Sequence, residues 1–172
     1  MTRNSESTNN SMNNSCGLLL LILLIGIITT IEVFRARAIQ DGYNRGKEIV
    51  ANSRVSAMNS SQQAYFGKKE AFSTSFEALG FVGMKTEHIN YKYLVRATKQ
   101  AAFHYALSKK VDLRSYVGGV FLIQVKPNAA KNEIKTEMIL CVADKPGTIP
   151  PLPPRLQNGK LFCGTGTTNK KK

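Results

Sequence analysis

Residues 17–34 read GLLLLILLIGIITTIEVF, eighteen positions with one charge, Glu32, and no proline. A run of about 17 to 25 apolar residues is what an α-helix needs to cross the hydrocarbon of a bilayer, where each main-chain polar group must be bonded within its own segment. Two readings fit such a run: a retained transmembrane helix and a signal peptide. Signal peptides carry a basic region before the apolar core and a small-residue cleavage site after it. Here residues 1–16 are rich in Asn and Ser with only Arg3 basic, and residues 31–37 offer no such site. Retention is the favoured reading. Cys16 precedes the apolar run, whereas the modified cysteine of a lipoprotein follows it, so Cys16 reads as a free thiol.

Orientation is argued both ways by the residues. Arg35, Arg37, Arg45 and Lys47 follow the apolar run against Arg3 alone before it, and the positive-inside tendency would put the carboxyl-terminal part in the cytoplasm. The cysteines argue for the other side. Cys141 and Cys163 bracket five of the six prolines, Pro146, Pro150, Pro151, Pro153 and Pro154, a stretch that no regular hydrogen-bond ladder can hold. A disulfide between them would close this loop with a stabilisation of about 3 kcal/mol in the loop-entropy model, and such bonds persist in oxidising compartments.

Of the 172 residues, 24 are Lys or Arg and 11 are Asp or Glu, a net charge of +13, and 42% are hydrophobic. That is a basic chain with room for about one domain, folded rather than disordered. Three cysteines and two histidines without C-x-x-C spacing exclude a zinc finger.

Residues 35–66 lack proline and are rich in helix formers, so the apolar helix is expected to continue, giving about 75 Å in total at 1.5 Å per residue. Gly42 and Gly46 are the place where it would break. A stripe of Val50, Val55, Met58 and Tyr65 is expected to lie on a sheet, with Arg54 facing water. Thr74-x-x-Glu77 reads as a capping box of a short helix stopped by Gly80. Beyond it, Ile89, Tyr91, Tyr93 and Val95 share one face at period two, and Phe103, Tyr105 and Leu107 alternate likewise. Residues 116–125 form a longer β-rich run with Gly118-Gly119 as a bulge, and residues 136–142 put Met138, Leu140 and Val142 on one side. Asn158-Gly159 is a two-residue turn into Leu161-Phe162-Cys163. The expected organisation is a polar leader or cytoplasmic segment (1–16), a transmembrane part of the helix (17–34), a spine helix (35–66) and an α+β head (67–172) with an antiparallel sheet.

An apolar helix running without proline into a spine, then a small sheet and a cysteine-closed loop, resembles a type IV pilin or pseudopilin. SSQQAYFGKKEAF (residues 60–72), YKY (91–93), SYVGGVF (115–121) and ILC (139–141) are similar to the cyanobacterial type IV pilin-like G/H group. The resemblance implies a structural subunit of a type IV pilus or a type II secretion-like pseudopilus, with the head outside the cytoplasm. It also implies other pilin subunits, inner-membrane assembly machinery, membrane lipid and a prepilin peptidase as partners. One departure is plain. Prepilins carry a carboxylate at the fifth residue after the cut. Cleavage at Gly17-Leu18 would put Ile22 there, and cleavage near Met12-Asn13 would put Gly17 there. Tip pseudopilins also lack this acid, which implies a minor or tip role. Gly26, Thr29 and Thr30 are the small or hydroxylated residues through which such a helix would pack in lipid.

Catalysis finds no constellation, and no cofactor or metal site is expected. His88 and His104 stand apart from the cysteines in sequence, and His104 reads as an ordinary surface residue of a strand's polar face. Gly164-Thr165-Gly166 lacks the context of a phosphate loop. The basic residues Lys68, Lys69, Lys109, Lys110, Arg114, Lys126, Lys131 and Lys135 suit a solvated surface, while Lys170 to Lys172 read as a solvated tail. The second functional reading is a membrane-anchored basic module that binds DNA or other polyanions weakly.

Overall fold

The computed structural model describes the backbone of residues 7–124 and 134–170. Residues up to Tyr43 and those from Asn44 onward belong to two compact units. The helix α1 (Ser7–Lys69) contributes to both and passes through Gly42 and Gly46 without interruption. A helical glycine costs about 1 kcal/mol, too little to break a run of good helix formers on either side.

In the second unit the chain continues through β1 (Tyr91–Ala97), β2 (Ala101–Ser108), β3 (Tyr116–Gln124), β4 (Ile134–Ala143), β5 (Arg155–Gln157), β6 (Lys160–Phe162) and β7 (Thr167–Asn169). Five strands form one antiparallel sheet in the order β1-β2-β3-β4-β7, and β5-β6 is a separate hairpin. Its turn residues Asn158 and Gly159 have φ of 51° and 72°, the left-handed geometry that a two-residue hairpin requires.

Alternation decides what each face of the sheet buries. Tyr91, Tyr93, Ala106 and Tyr116 meet Ala51, Val55 and Met58 of α1 in one core. Tyr105, Val117, Phe121, Ile139 and Cys141 point to the opposite face, where Leu161 and Cys163 cover them. A helix therefore closes one side of the sheet and the carboxyl-terminal loop closes the other: an α+β fold of one long apolar helix packed on a small antiparallel sheet.

Two local expectations are corrected. The segment at Thr74-x-x-Glu77 is a hydrogen-bonded turn and not a helix. Ser75, one residue later, takes the capping role: its Oγ accepts from Ala78 N–H (3.2 Å) and donates to Glu77 Oε2 (2.8 Å), and Gly80 at φ 88° ends the turn. Gly118-Gly119 is no bulge, since the register runs unbroken through His104↔Gly118 and Phe103↔Gly119. Glycine is needed there for space. A Cβ at Gly118 would lie 2.7 Å from Asn59 Cγ, and one at Gly119 would lie 2.6 Å from the Phe121 ring and 2.7 Å from Pro154.

Candidate functional site

The apolar segment comes first. Every described side chain from 18 to 34 is exposed, and α1 is the one helix among the described residues long and apolar enough to cross a membrane. Its polar atoms are already satisfied within the helix. Thr29 Oγ1 donates to Gly26 O (3.0 Å) and Thr30 Oγ1 to Ile27 O (2.8 Å), so neither hydroxyl presents an unbonded donor to lipid. Glu32 pairs with Arg35 at 3.5 Å, one turn on. Gly17 and Leu18 are both helical. Residues 1–6, the Cys16 side chain, Lys126, Lys131, Lys171 and Lys172 lie outside the described residues.

The spine contact differs from the expected stripe in part. Val55 and Met58 are fully buried against the sheet. Val50 does not pack there and is 51% exposed. Successive helical residues are about 100° apart, so Val50, next to the buried Ala51, is turned toward solvent. Tyr65 is half-buried and lines a shallow groove with Ala78, Leu79 and Gly80, off the sheet. Arg54 does not simply face water either, because its guanidinium lies 5.1 Å from the centroid of the Tyr93 ring, a cation–π contact.

The stripe also contains polar residues that a hydrophobic periodicity passes over. Asn59, Gln62 and His104 are buried together, and His104 is 0% exposed, which corrects its reading as a surface residue. Asn59 Oδ1 accepts a hydrogen bond from His104 Nδ1–H (2.8 Å), while Asn59 Nδ2 donates to Ile139 O (3.0 Å). With the Gln62 amide turned so that its oxygen accepts from Ser73 N–H (2.7 Å), its nitrogen donates to Ser73 O (3.2 Å) and faces His104 Nε2 at 3.4 Å. Each partner then has a role consistent with a neutral imidazole. Burial pushes the pKa of the His104 imidazole down to about 4, because loss of solvation penalises its charged form. The network ties α1 to β2, to β4 and to the turn after the helix. Its sequence signal was Asn59 and Gln62 on the helical face of Val55 and Met58.

At the other end of the spine, Glu48 accepts from Arg114 N–H (2.8 Å) and from the Tyr116 hydroxyl (3.4 Å). Asn44 Nδ2 donates to Asp112 Oδ2 at 2.9 Å. Burial, then the negative charge of Glu48, raises the Tyr116 phenol above its ordinary range, so it keeps the proton that it donates to Glu48.

The Cys141–Cys163 disulfide closes the proline-rich loop, with Cα atoms 5.7 Å apart. It clamps the hairpin and its flanks over the second face. Cys163→Ser should cost about 3 kcal/mol, read as a lower denaturant midpoint that reductant no longer changes. Among the described residues no group of three or more His, Cys, Asp or Glu side chains could hold a metal ion, and the thiols of Cys141 and Cys163 are consumed in the disulfide. Gly164 and Gly166 belong to the turn into β7, where Thr167 N–H donates to Gly164 O and Asp144 N–H to Gly166 O.

No curated protein and no solved structure matches the chain. A family model does, that of the Type IV pilin-like G and H proteins, over residues 48–164. The match begins at the Glu48 tie and ends one residue past the disulfide, taking in the buried stripe, the sheet and both of its covers. With that span and the apolar segment in the same helix, the chain belongs to the type IV pilin-like G and H family.

Proposed function

We propose that this protein is a minor structural subunit of a type IV pilus or type II secretion-like pseudopilus, inserted in the inner membrane with its head outside the cytoplasm. The observation that carries the reading is that one helix holds both the exposed apolar segment and the family head. Such a segment can be covered by lipid before assembly and by the helices of neighbouring subunits after it. Gly26, with no side chain, and Thr29 and Thr30, with their hydroxyls bonded inward, allow close approach of a second helix. The disulfide supports the outside location of the head, since such bonds persist in oxidising compartments.

Absence of the acid supports the minor role. In lipid a carboxylate that meets a neighbour's terminal amine contributes because either charge alone is costly there. Ile22 and Gly17 supply none on either alignment, so entry into the filament rests on packing. Assembly machinery and a prepilin peptidase are the partners this role requires. Intact-mass measurement of the chain recovered from sheared surface filaments tests the reading. A chain found there, beginning at Leu18 or Asn13, supports it. A full-length chain confined to membranes overturns it, and binding of DNA by that membrane form with steep salt dependence would establish the polyanion module instead.

A further inference from the structure

The loop closed by the disulfide carries the sequence IPPLPP at residues 149–154. Proline holds φ near −65° and biases the residue before it toward extended geometry, so all six of these positions, each a proline or the residue before one, are set for a polyproline II helix or confined close to it. Burial bears the same period. Pro151 and Pro154 are buried, while Ile149, Pro150, Leu152 and Pro153 are exposed, the repeat of a helix with three residues per turn lying on the body along one edge. Ile149 at 83% is the most exposed large apolar side chain among the described residues of this unit, and Leu152 is 57% exposed. None of the hydrogen bonds found among the described residues engages residues 148–154. The segment is therefore a preordered apolar ridge whose prolines offer carbonyl acceptors and no N–H.

The same unit holds an open groove of about 790 Å³ at the end of β2 and β3. Phe103, Phe121, Leu122 and Leu156 line it, with Thr98, Gln100 and Arg155 as polar members and no acidic residue among the described residues. The two aromatic rings meet edge to face at 5.5 Å. Polyproline ridges dock in aromatic-lined grooves that donate hydrogen bonds to their carbonyls. Gln100 and Arg155 supply donors, and the cation suits an acceptor-only ligand. Pro154 forms part of the groove's own wall, so the ridge of one chain cannot fold back into its own groove along its length. Ridge and groove are different surfaces of one chain, so a contact made in one direction between copies held in parallel by their helices is heterologous, the kind that repeats from copy to copy along a helical array.

We infer that the ridge at residues 149–153 of one copy seats in the Phe103–Phe121 groove of the next copy, so that the subunit enters the filament in runs. The inference rests on the filament reading above. A contact this small is weak between free chains and gains its effect only when the apolar helices already hold the copies side by side.

The test places a photo-crosslinking benzophenone amino acid at position 149 of the full chain, expressed with an isotopically distinct copy in cells that make filaments. The expected product joins position 149 of one copy to a peptide from residues 98–123 of the other. Because both positions are exposed, Ile149→Asp with Leu152→Asp should leave the Cys141–Cys163 bond and the folded spectrum intact, yet lower the amount of chain in sheared filaments at least tenfold. Filaments that contain the chain without this crosslink, or that tolerate the double substitution, overturn the ridge-and-groove contact and leave the filament role standing. A chain that is absent from filaments overturns both.

Discussion

Met58→Asp should lower the stability of the head by roughly 4 to 6 kcal/mol, a large share of the 5 to 15 kcal/mol of a typical domain. Met58 is fully buried between α1 and the sheet, in the core that includes Val55, Tyr91 and Tyr93. A carboxylate there has no cation to meet, since the Arg54 guanidinium is engaged over the Tyr93 ring. Val50→Asp, eight positions earlier and exposed, should change stability by no more than about 0.5 kcal/mol. Urea unfolding of the full chain in micelles, followed by the near-ultraviolet signal of the buried tyrosines, measures both. Equal effects would mean that the buried stripe is not what holds the helix to the sheet.

Acidification should destabilise the head through His104. In the unfolded chain a histidine titrates near 6.5, whereas burial holds His104 at about 4 in the native protein. Between those values the unfolded chain binds a proton that the native state refuses. The stabilising contribution is thus complete above about pH 6.5, falls as pH drops, and is exhausted near pH 4. A difference of that size corresponds to about 3 kcal/mol. Glu77 is held below the usual carboxylate range by a backbone hydrogen bond and then by Ser75, and Glu87 by its hydrogen bond from Lys109. Both act in the same direction, but only below about pH 4.5, their ordinary value. Denaturant midpoints between pH 7 and pH 4.5 therefore isolate the histidine. His104→Gln should flatten this slope while lowering stability at pH 7, because the Asn59 and Gln62 amides lose their partner. A slope that survives the substitution would assign the acid sensitivity elsewhere.

The apolar helix, the strands and the disulfide were legible because each is a local pattern with its own period or spacing. Residues 17–34 are long and apolar enough to cross a membrane, whatever follows them. Period two in residues 91–95 and 103–107 sets which side chains share a face, and two cysteines that bracket a proline-rich stretch leave few other ways to hold it. What could not be read was the meaning of polar residues and glycines, whose roles depend on what lies across from them. His104 occupies a polar-looking position of a strand, and only the arrival of Asn59 and Gln62 from a helix more than forty residues away makes that position a buried hydrogen-bonded one. Gly118 and Gly119 looked like a bulge, yet they are flat strand made thin for Asn59 on one face and for Phe121 and Pro154 on the other. Val50 belonged to an apolar stripe by composition, but the angle at which α1 meets the sheet was chosen by Ala51, Val55 and Met58, and that choice turned Val50 to solvent. Sequence by itself determined the apolar character of the amino-terminal helix, the alternation of the strands and the cysteine-bracketed loop, because each is a pattern of period or spacing along the chain. Tertiary structure alone decided which polar groups are buried and which face of the spine carries the head, because those depend on partners brought together only when helix and sheet close on each other.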